Sequence, residues 1–430
     1  MFETQIDRRQ MFGAGAGLLA FTALPAHAKS HAERTEKLRW QKVQALLDGY
    51  VADDRLPGAV ASVGLGTDAP TFLLSGKISR NETRAMDADS LFRVYSMTKP
   101  ITGIAAMMLI EDGKLGLDQN IAELIPAFKN PQVLIDPMKD LSARPARSPI
   151  TVRNLLTHTA GLGYAIITKG PLLEAYLRLG ITPASASRMR LPGVPTSNTA
   201  PSLEIFADRL ATLPLVADPG TKWSYSISLD LMGRVIEVAS GMSFDAFLKT
   251  RMFEPLGMRS SFFQVPATQL GRLTTNYGVA PNGRFPIDPG KDSVFSDKPA
   301  FPFGGAGLVM SARDYDRFLL MLAGYGAIGR TRIMKTATAK LAMSNLLPPG
   351  ADTKGSFADG QGFGAGGRVT INAGDRLGAG IGTFGWGGAA ATVAWVDPTR
   401  GVRAAGYAQY MPDQSMPFTA DFSKAVYASL

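Results

Sequence analysis

A chain of 430 residues, 45% of them hydrophobic, can bury a large core, and its length suggests two compact regions. It has no cysteine and only three histidines, His27, His31 and His158, which excludes thiol catalysis and cysteine-ligated zinc. The formal charge of +9 is spread without a dense basic run or interleaved aromatic motif, so it does not indicate a nucleic-acid partner.

In chain order, residues 1–28 read as an export signal. Arg8-Arg9 precede an uncharged Gly/Ala/Leu-rich stretch from Met11 to Pro25, and Ala26-His27-Ala28 supplies an Ala-x-Ala cleavage site. The pattern is that of a twin-arginine signal cut after Ala28, which predicts a periplasmic, disulfide-free mature protein. No stable membrane anchor is expected, because about 14 weakly apolar residues fall short of the ~20 that span a bilayer. With His27 removed and His31 near the new terminus, a Ser-His-Asp triad would rest on His158 alone. No Gly-x-Ser-x-Gly elbow occurs.

Residues 32–54 carry Leu38, Val43, Leu46, Leu47, Tyr50 and Val51 near helical spacing, and the runs "GAVASVGLG" and "TFLLSGK" then predict a hairpin. A second helix is predicted from Ser96 to Leu117, with Ile101, Ile104, Met107, Met108 and Ile110 apolar and Asp112-Gly113 ending it. Pro100 fits only its first turn. "ITVRNLLTHTAGL" predicts a helix closing at Gly161, and "SLEIFADRLATLPL" and "SLDLMGRVIEVASG" predict two more. Between them, 180–202 is rich in Pro, Ser, Thr and Gly and reads as a long surface loop. The C-terminal third returns to the strands "ATVAWVD" and "GVRAAGYAQY" and ends in the helical "FTADFSKAVYASL". Strands at both ends with helices between them imply one sheet assembled from both termini.

The chain has a single Ser-x-x-Lys, Ser96 to Lys99 in "SMTK". Chance alone supplies on the order of one such motif in a chain of this composition, so the spacing is a hypothesis. Its placement gives it physical content: residues i and i+3 share a helix face, and the positive end of the helix points at the same spot. A free lysine is neutral in only about one molecule in 2,500 at pH 7. Burial or a neighbouring cation is therefore needed to make Lys99 a base for Ser96.

The succession "SMTK", "LLTHTAGL", "PGTKWSYSISLDLMG", "PLGM", "FGGAGLVMSARD" and "FGWGGAAATVAW" resembles the serine hydrolases related to class C β-lactamases, most of all their carboxylesterase branch. The resemblance runs from about residue 40 onward. It implies an α/β fold of the β-lactamase and penicillin-binding-protein kind: an antiparallel sheet flanked by N- and C-terminal helices, plus a mostly helical domain. Residues 29–93 and 305–430 would form the discontinuous α/β domain and 94–304 the helical one. It also implies Ser96 as nucleophile, Lys99 as the base that activates it and Tyr225 of "WSYS" as the second proton-transfer group. Tyr95 is the poorer choice, because adjacent helix residues face different directions. The oxyanion hole would be the backbone N–H groups of Ser96 and Ala389. Trp386, Gly387, Gly388 and Ile227 would meet the substrate, with neither cofactor nor metal.

Two departures from the β-lactamase pattern bear on substrate. Trp386-Gly387-Gly388 stands where Lys-Thr-Gly is usual, and Tyr225-Ser226-Ile227 stands where Tyr-x-Asn is usual. A cation and an amide are thereby replaced by apolar groups, which favours neutral small-molecule esters of small or medium acyl groups over anionic antibiotics. A β-lactamase, a D-amino-acid peptidase, an acyltransferase or an acyl-binding sensor without turnover would keep the same serine. His158, between Thr157 and Thr159, reads as a structural residue bonding carbonyls at a helix terminus. Asp230 reads as a helix N-terminal acid. Oligomeric state is not legible.

Overall fold

A computed structural model describes residues 38–189, 199–281, 283–372 and 377–430. The export signal and positions 190–198 of the long loop lie outside the described residues. The chain divides into Met1–Arg39 and Trp40–Leu430, and the second unit is the one described below.

Its framework is α1 (Gln41–Ala52), β1 (Gly58–Leu65), β2 (Thr71–Gly76), α2 (Thr98–Glu111), α3 (Ser228–Ser240), α4 (Ala312–Ala323), β3 (Gly362–Phe363), β4 (Arg368–Val369), β5 (Phe384–Gly388), β6 (Thr392–Asp397), β7 (Val402–Tyr407) and α5 (Phe418–Tyr427). The strands form one seven-stranded sheet in the order β3-β4-β5-β6-β7-β1-β2, antiparallel throughout. The first two strands of the chain thus close against the last, as the alternation of predicted elements implied.

The period-2 alternation of strands assigns each side chain to one of two cores. Ala59, Ala61, Val63, Val402, Ala404 and Trp395 join Trp40, Val43, Leu47, Phe418 and Phe422 on the face covered by α1 and α5. Val60, Ala394, Val396, Ala405 and Tyr407 face the larger core, with Tyr315, Phe318 and Leu322 of α4 and most of α2 and α3. A sheet covered on both faces explains why β1 is almost entirely buried and reads as a near-continuous apolar run. Gly406 lets α5 approach, since a Cβ there would stand 2.8 Å from the Phe422 ring. Arg403 of β7 is fully buried against Asp316 of α4 at 3.0 Å and also donates to the Gly66 and Asp68 carbonyls, so its charge is paired and hydrogen-bonded.

Helix α2 runs through the centre. Thr98 to Leu109 are all buried, which accounts for its apolar residues lying all round rather than on one face. It ends at Glu111, several residues before the predicted Leu117. Pro100 sits in its first turn, as expected. Gly103 permits contact with the 365–366 loop, where a Cβ would lie 2.1 Å from the Ala365 carbonyl oxygen.

The helix predicted to close at Gly161 is shorter than its sequence suggests. It covers Val152–Leu156, opened by a capping box between Thr151 and Asn154, and His158 turns the chain into the left-handed region at φ 56°. Thr157 ends the helix by donating its hydroxyl to the Arg153 carbonyl at 2.8 Å.

Candidate active site

Ser96 lies in the 3-10 turn Tyr95–Met97 that feeds α2. Three features hold this turn. The short strand Leu91–Arg93 pairs with Val309–Ser311. The fully buried Arg93 guanidinium bonds Asp288 at 2.5 Å and the Thr274 carbonyl at 2.6 Å. Tyr95 is buried with a left-handed φ of 41°, a conformation that costs a non-glycine residue on the order of 1–3 kcal/mol. Its ring packs edge-on to Phe295, with centroids 6.0 Å apart. The Tyr95 side chain therefore points into the core while Ser96 lines the cavity; the left-handed turn at Tyr95, not the helix geometry expected from the sequence, separates the two directions.

Lys99, one helical turn on, is fully buried. Its ammonium donates to Ser96 Oγ at 3.1 Å and to the Gly305 carbonyl at 2.8 Å. The Gly304-Gly305 loop comes this close because neither residue has a Cβ, which would meet the Leu229 carbonyl oxygen and Asp230 Oδ2, each at 2.3 Å. Thr102 fixes the loop by donating to the Gly304 carbonyl at 2.7 Å.

Tyr225 arrives on an extended segment before α3. The segment is tied by the Ser224 N–H to the His158 carbonyl at 2.9 Å and by the Ile227 N–H to the Gly163 carbonyl at 3.1 Å. The Tyr225 phenol donates to Ser96 Oγ at 2.7 Å. The Lys99 ammonium stands 4.6 Å from the centroid of the same ring.

Strand β5 closes the other side. Gly388 is demanded by packing, since a Cβ would sit 2.3 Å from the Val94 carbonyl oxygen. This contact sets the turn that carries Ala389 against the turn that carries Ser96. Trp386 packs on Tyr225 with centroids 5.8 Å apart, and its indole N–H points at the phenol oxygen, 3.4 Å away. Ser96, Tyr225, Trp386, Gly387, Gly388 and Ala389 all line one cavity of about 520 Å³. Ile166, Ile167 and Phe357, exposed at 50, 45 and 59%, give the cavity an apolar rim.

Ile227 is placed differently from the sequence expectation. It is fully buried, immediately precedes α3 and belongs to the large core, outside the cavity lining, because an aliphatic chain there has core to fill and nothing polar to offer a ligand. His158 is structural, but it bonds a side chain instead of a carbonyl: Nδ1 pairs with Ser226 Oγ at 2.8 Å, and Ser226 Oγ pairs with Ser228 Oγ at 2.7 Å. Burial, and then the Lys99 charge, hold its pKa well below the usual histidine range, so the ring is neutral. It packs at 5.0 Å against the Tyr225 ring.

Asp230 lies in the first turn of α3, as read, and accepts the Gly305 N–H at 2.9 Å. Burial pushes its pKa up to about 6, with Lys99 pulling the other way. Tyr164 was missed by the sequence reading. It is buried edge-on to Tyr225 at 5.3 Å with the Lys99 ammonium 5.4 Å from its ring. Burial, and then the Asp230 and Tyr225 charges, raise its pKa well above the usual range, so it stays a phenol. No helix among the described residues is long and apolar enough to cross a membrane.

A serine hydroxyl bonded to a lysine and a tyrosine at the wall of a cavity is an arrangement suited to attack on a carbonyl. Comparisons with known proteins agree. The model of the family described as Beta-lactamase matches residues 43–428. Esterase EstB of Burkholderia gladioli is 30% identical over 406 residues, which span 90% of this chain and 95% of EstB. Acyltransferase calJ of Penicillium decumbens is 31% identical over 351 residues, 77% of either chain. Among solved structures, EstCE1, described as a hydrolase with promiscuous acyltransferase activity, aligns with a TM-score of 0.75 at 27% identity, covering 92% of this chain and 100% of EstCE1.

Proposed function

The chain belongs to the Beta-lactamase family, with the fold and serine-hydrolase character of that family, and on this premise we propose that it is a carboxylesterase working through an acyl-enzyme on Ser96. The observation that carries the reading is the convergence of Lys99 Nζ and Tyr225 Oη on Ser96 Oγ, at 3.1 and 2.7 Å. Both groups lie within reach of the proton that the serine must lose. Whichever of the two is deprotonated accepts it as Oγ attacks the ester carbonyl. Tyr225, on the exposed side of the pair, then returns a proton to the departing alcohol. The tetrahedral oxyanion is bound by the N–H groups of Ser96 and Ala389, each such donor worth about 3 kcal/mol in other hydrolases. Water enters by the reverse of the alcohol's path and releases the acid.

The wall formed by Trp386 and the rim of Ile166, Ile167 and Phe357 favour a neutral ester over an anionic β-lactam. Transfer of the acyl group to an alcohol in place of water is the second reading, favoured by the names of calJ and EstCE1. Rates of hydrolysis of p-nitrophenyl esters and a chromogenic cephalosporin test the proposal. The ester is expected to be preferred, and a cephalosporin preference would overturn it. Added alcohol that diverts product from acid to ester would establish transfer. The signal read from residues 1–28 supports a periplasmic site of action, which cell fractionation tests: retention of the processed enzyme in the cytoplasm would refute it.

A further inference from the structure

Lys99 of α2 and Asp230 of α3 are both buried, and a charge taken out of water has to be paired or hydrogen-bonded. The two turn to one residue. The Gly305 carbonyl accepts from the Lys99 ammonium at 2.8 Å, and the Gly305 N–H donates to Asp230 Oδ1 at 2.9 Å. Asp230 Oδ2 is buried without a hydrogen-bond partner among the described residues, so the carboxylate is not neutralised by bonds of its own. Burial raises its pKa and the Lys99 charge opposes that rise, which makes the ammonium the cation that compensates it.

The loop between the two charges is clamped from both helices. Thr102 of α2 holds the Gly304 carbonyl, and Asp230 of α3 holds Gly305, the residue that carries the acceptor for Lys99. Gly305 has to be glycine, because a Cβ there would run into Asp230 Oδ2. A carboxylate bonded directly to the ammonium would compete with Ser96 for its protons. With Gly305 interposed, Lys99 Nζ keeps its bond to Ser96 Oγ at 3.1 Å and still has a counter-charge.

We propose that Asp230 is a positioning residue of the reaction: through Gly305 it sets Lys99 Nζ on Ser96 Oγ, and it supplies the negative charge against which the Lys99–Tyr225 pair gives up its proton. The inference rests on the roles assigned to Lys99 and Tyr225 above. The other titratable groups facing Lys99 and Asp230 are His158, held neutral, and Tyr164, held as a phenol. Asp230 itself titrates at about 6, so an ionisation seen above pH 6 belongs to the Lys99–Tyr225 pair. Loss of the Asp230 charge makes the ammonium less favourable and leaves a phenolate less opposed. Both changes ease removal of the proton.

The test is the pH dependence of the rate at which a fluorophosphonate labels Ser96, with kcat and KM on p-nitrophenyl acetate, in the wild type, Asp230→Asn and Asp230→Ala. Asparagine keeps an acceptor for the Gly305 N–H and removes the charge. The limb above pH 6 on which labelling rises is expected to move down by about one pH unit. Alanine removes the acceptor as well, and the labelling rate and kcat are expected to fall at least about tenfold with KM little changed. A limb that stays in place or moves up in folded Asp230→Asn, or wild-type rates in Asp230→Ala, overturns the proposal. Should neither variant fold, Gly305→Ala breaks the same bridge from the other side: labelling slowed at least about tenfold upholds the proposal, and a wild-type rate overturns it. If the wild type labels but turns over no ester, the esterase reading fails, and the labelling profiles alone decide the role of Asp230.

Discussion

Tyr225 donates its phenolic proton to Ser96 Oγ at 2.7 Å although the two residues are 129 positions apart in the chain. The Lys99 ammonium reaches the same oxygen at 3.1 Å from the first turn of α2, three positions on in the chain. The serine hydroxyl is thus bonded to a lysine and a tyrosine, the two groups to which the proposed mechanism gives proton transfer.

Tyr225→Phe removes one carrier while keeping the ring contacts with His158, Tyr164 and Trp386. General acid–base groups typically contribute 10²- to 10⁴-fold. The variant is therefore expected to lose about that much kcat on a p-nitrophenyl ester with its melting temperature little changed. A loss under tenfold would show that Lys99 alone handles the proton.

Gly388→Ala places a methyl group within 2.3 Å of the Val94 carbonyl oxygen, backbone that cannot easily give way. Strand β5 must then move off the turn that carries Ser96 and take the Ala389 N–H with it. Loss of one oxyanion donor lowers kcat by about 10²- to 10³-fold in other hydrolases. The same loss is expected here, with KM moved far less. A variant with wild-type kcat would mean that the Ala389 N–H is not used.

His158 gives a pH-dependent signature. Its folded pKa is depressed, so at low pH the unfolded chain binds a proton that the fold refuses, and stability is lost as pH falls below about 6.5. Asp230 runs the other way: with a folded pKa of about 6 against 3.8, its carboxyl adds stability at low pH that disappears as pH rises through that window. Urea denaturation of the wild type and His158→Gln from pH 4 to 8 separates the two. The stability difference between them should grow with pH up to about 6.5 and then level off, while kcat stays within about tenfold, or ~1.4 kcal/mol in the barrier. Parallel curves would mean that folding does not shift the His158 pKa, and a difference that shrinks as pH rises would mean that His158 is charged in the fold. A thousandfold fall in kcat would return it to a catalytic role.

Trp386→Lys tests the substrate preference. The indole contributes an apolar face against Tyr225 and Phe363. A lysine would offer a substrate carboxylate a charge-assisted bond worth about 1.5–3 kcal/mol. The ratio of cephalosporin to ester kcat/KM is expected to rise ten- to hundredfold. An unchanged ratio in a folded variant would mean that this side chain does not meet the substrate's anionic group.

Local pattern carried much of this architecture. Helix α3 shows a helical period, α2 and β1 read as apolar runs of helix and strand length, β6 and β7 as short apolar strands, and Ser96 and Lys99 meet because i and i+3 share a helix face. Contacts between distant segments were not legible from periodicity. Nothing in the local pattern of "WSYS" says that Tyr225 will touch Ser96, and only the ordered motifs suggested it. The Gly305 carbonyl that holds Lys99 comes from a loop 206 positions away. Ile227 went astray because its motif position was read as a binding position, whereas an isoleucine between a tied loop and α3 packs into the core. The two-residue strands β3 and β4 are too short to show any alternation.

The identity of the nucleophile is tested most directly by intact-protein and peptide mass spectrometry after a brief, acid-quenched exposure to p-nitrophenyl octanoate. A single octanoyl adduct on the peptide bearing Ser96, absent from Ser96→Ala, is the predicted result. An adduct on another residue, or an equal adduct in Ser96→Ala, would contradict it.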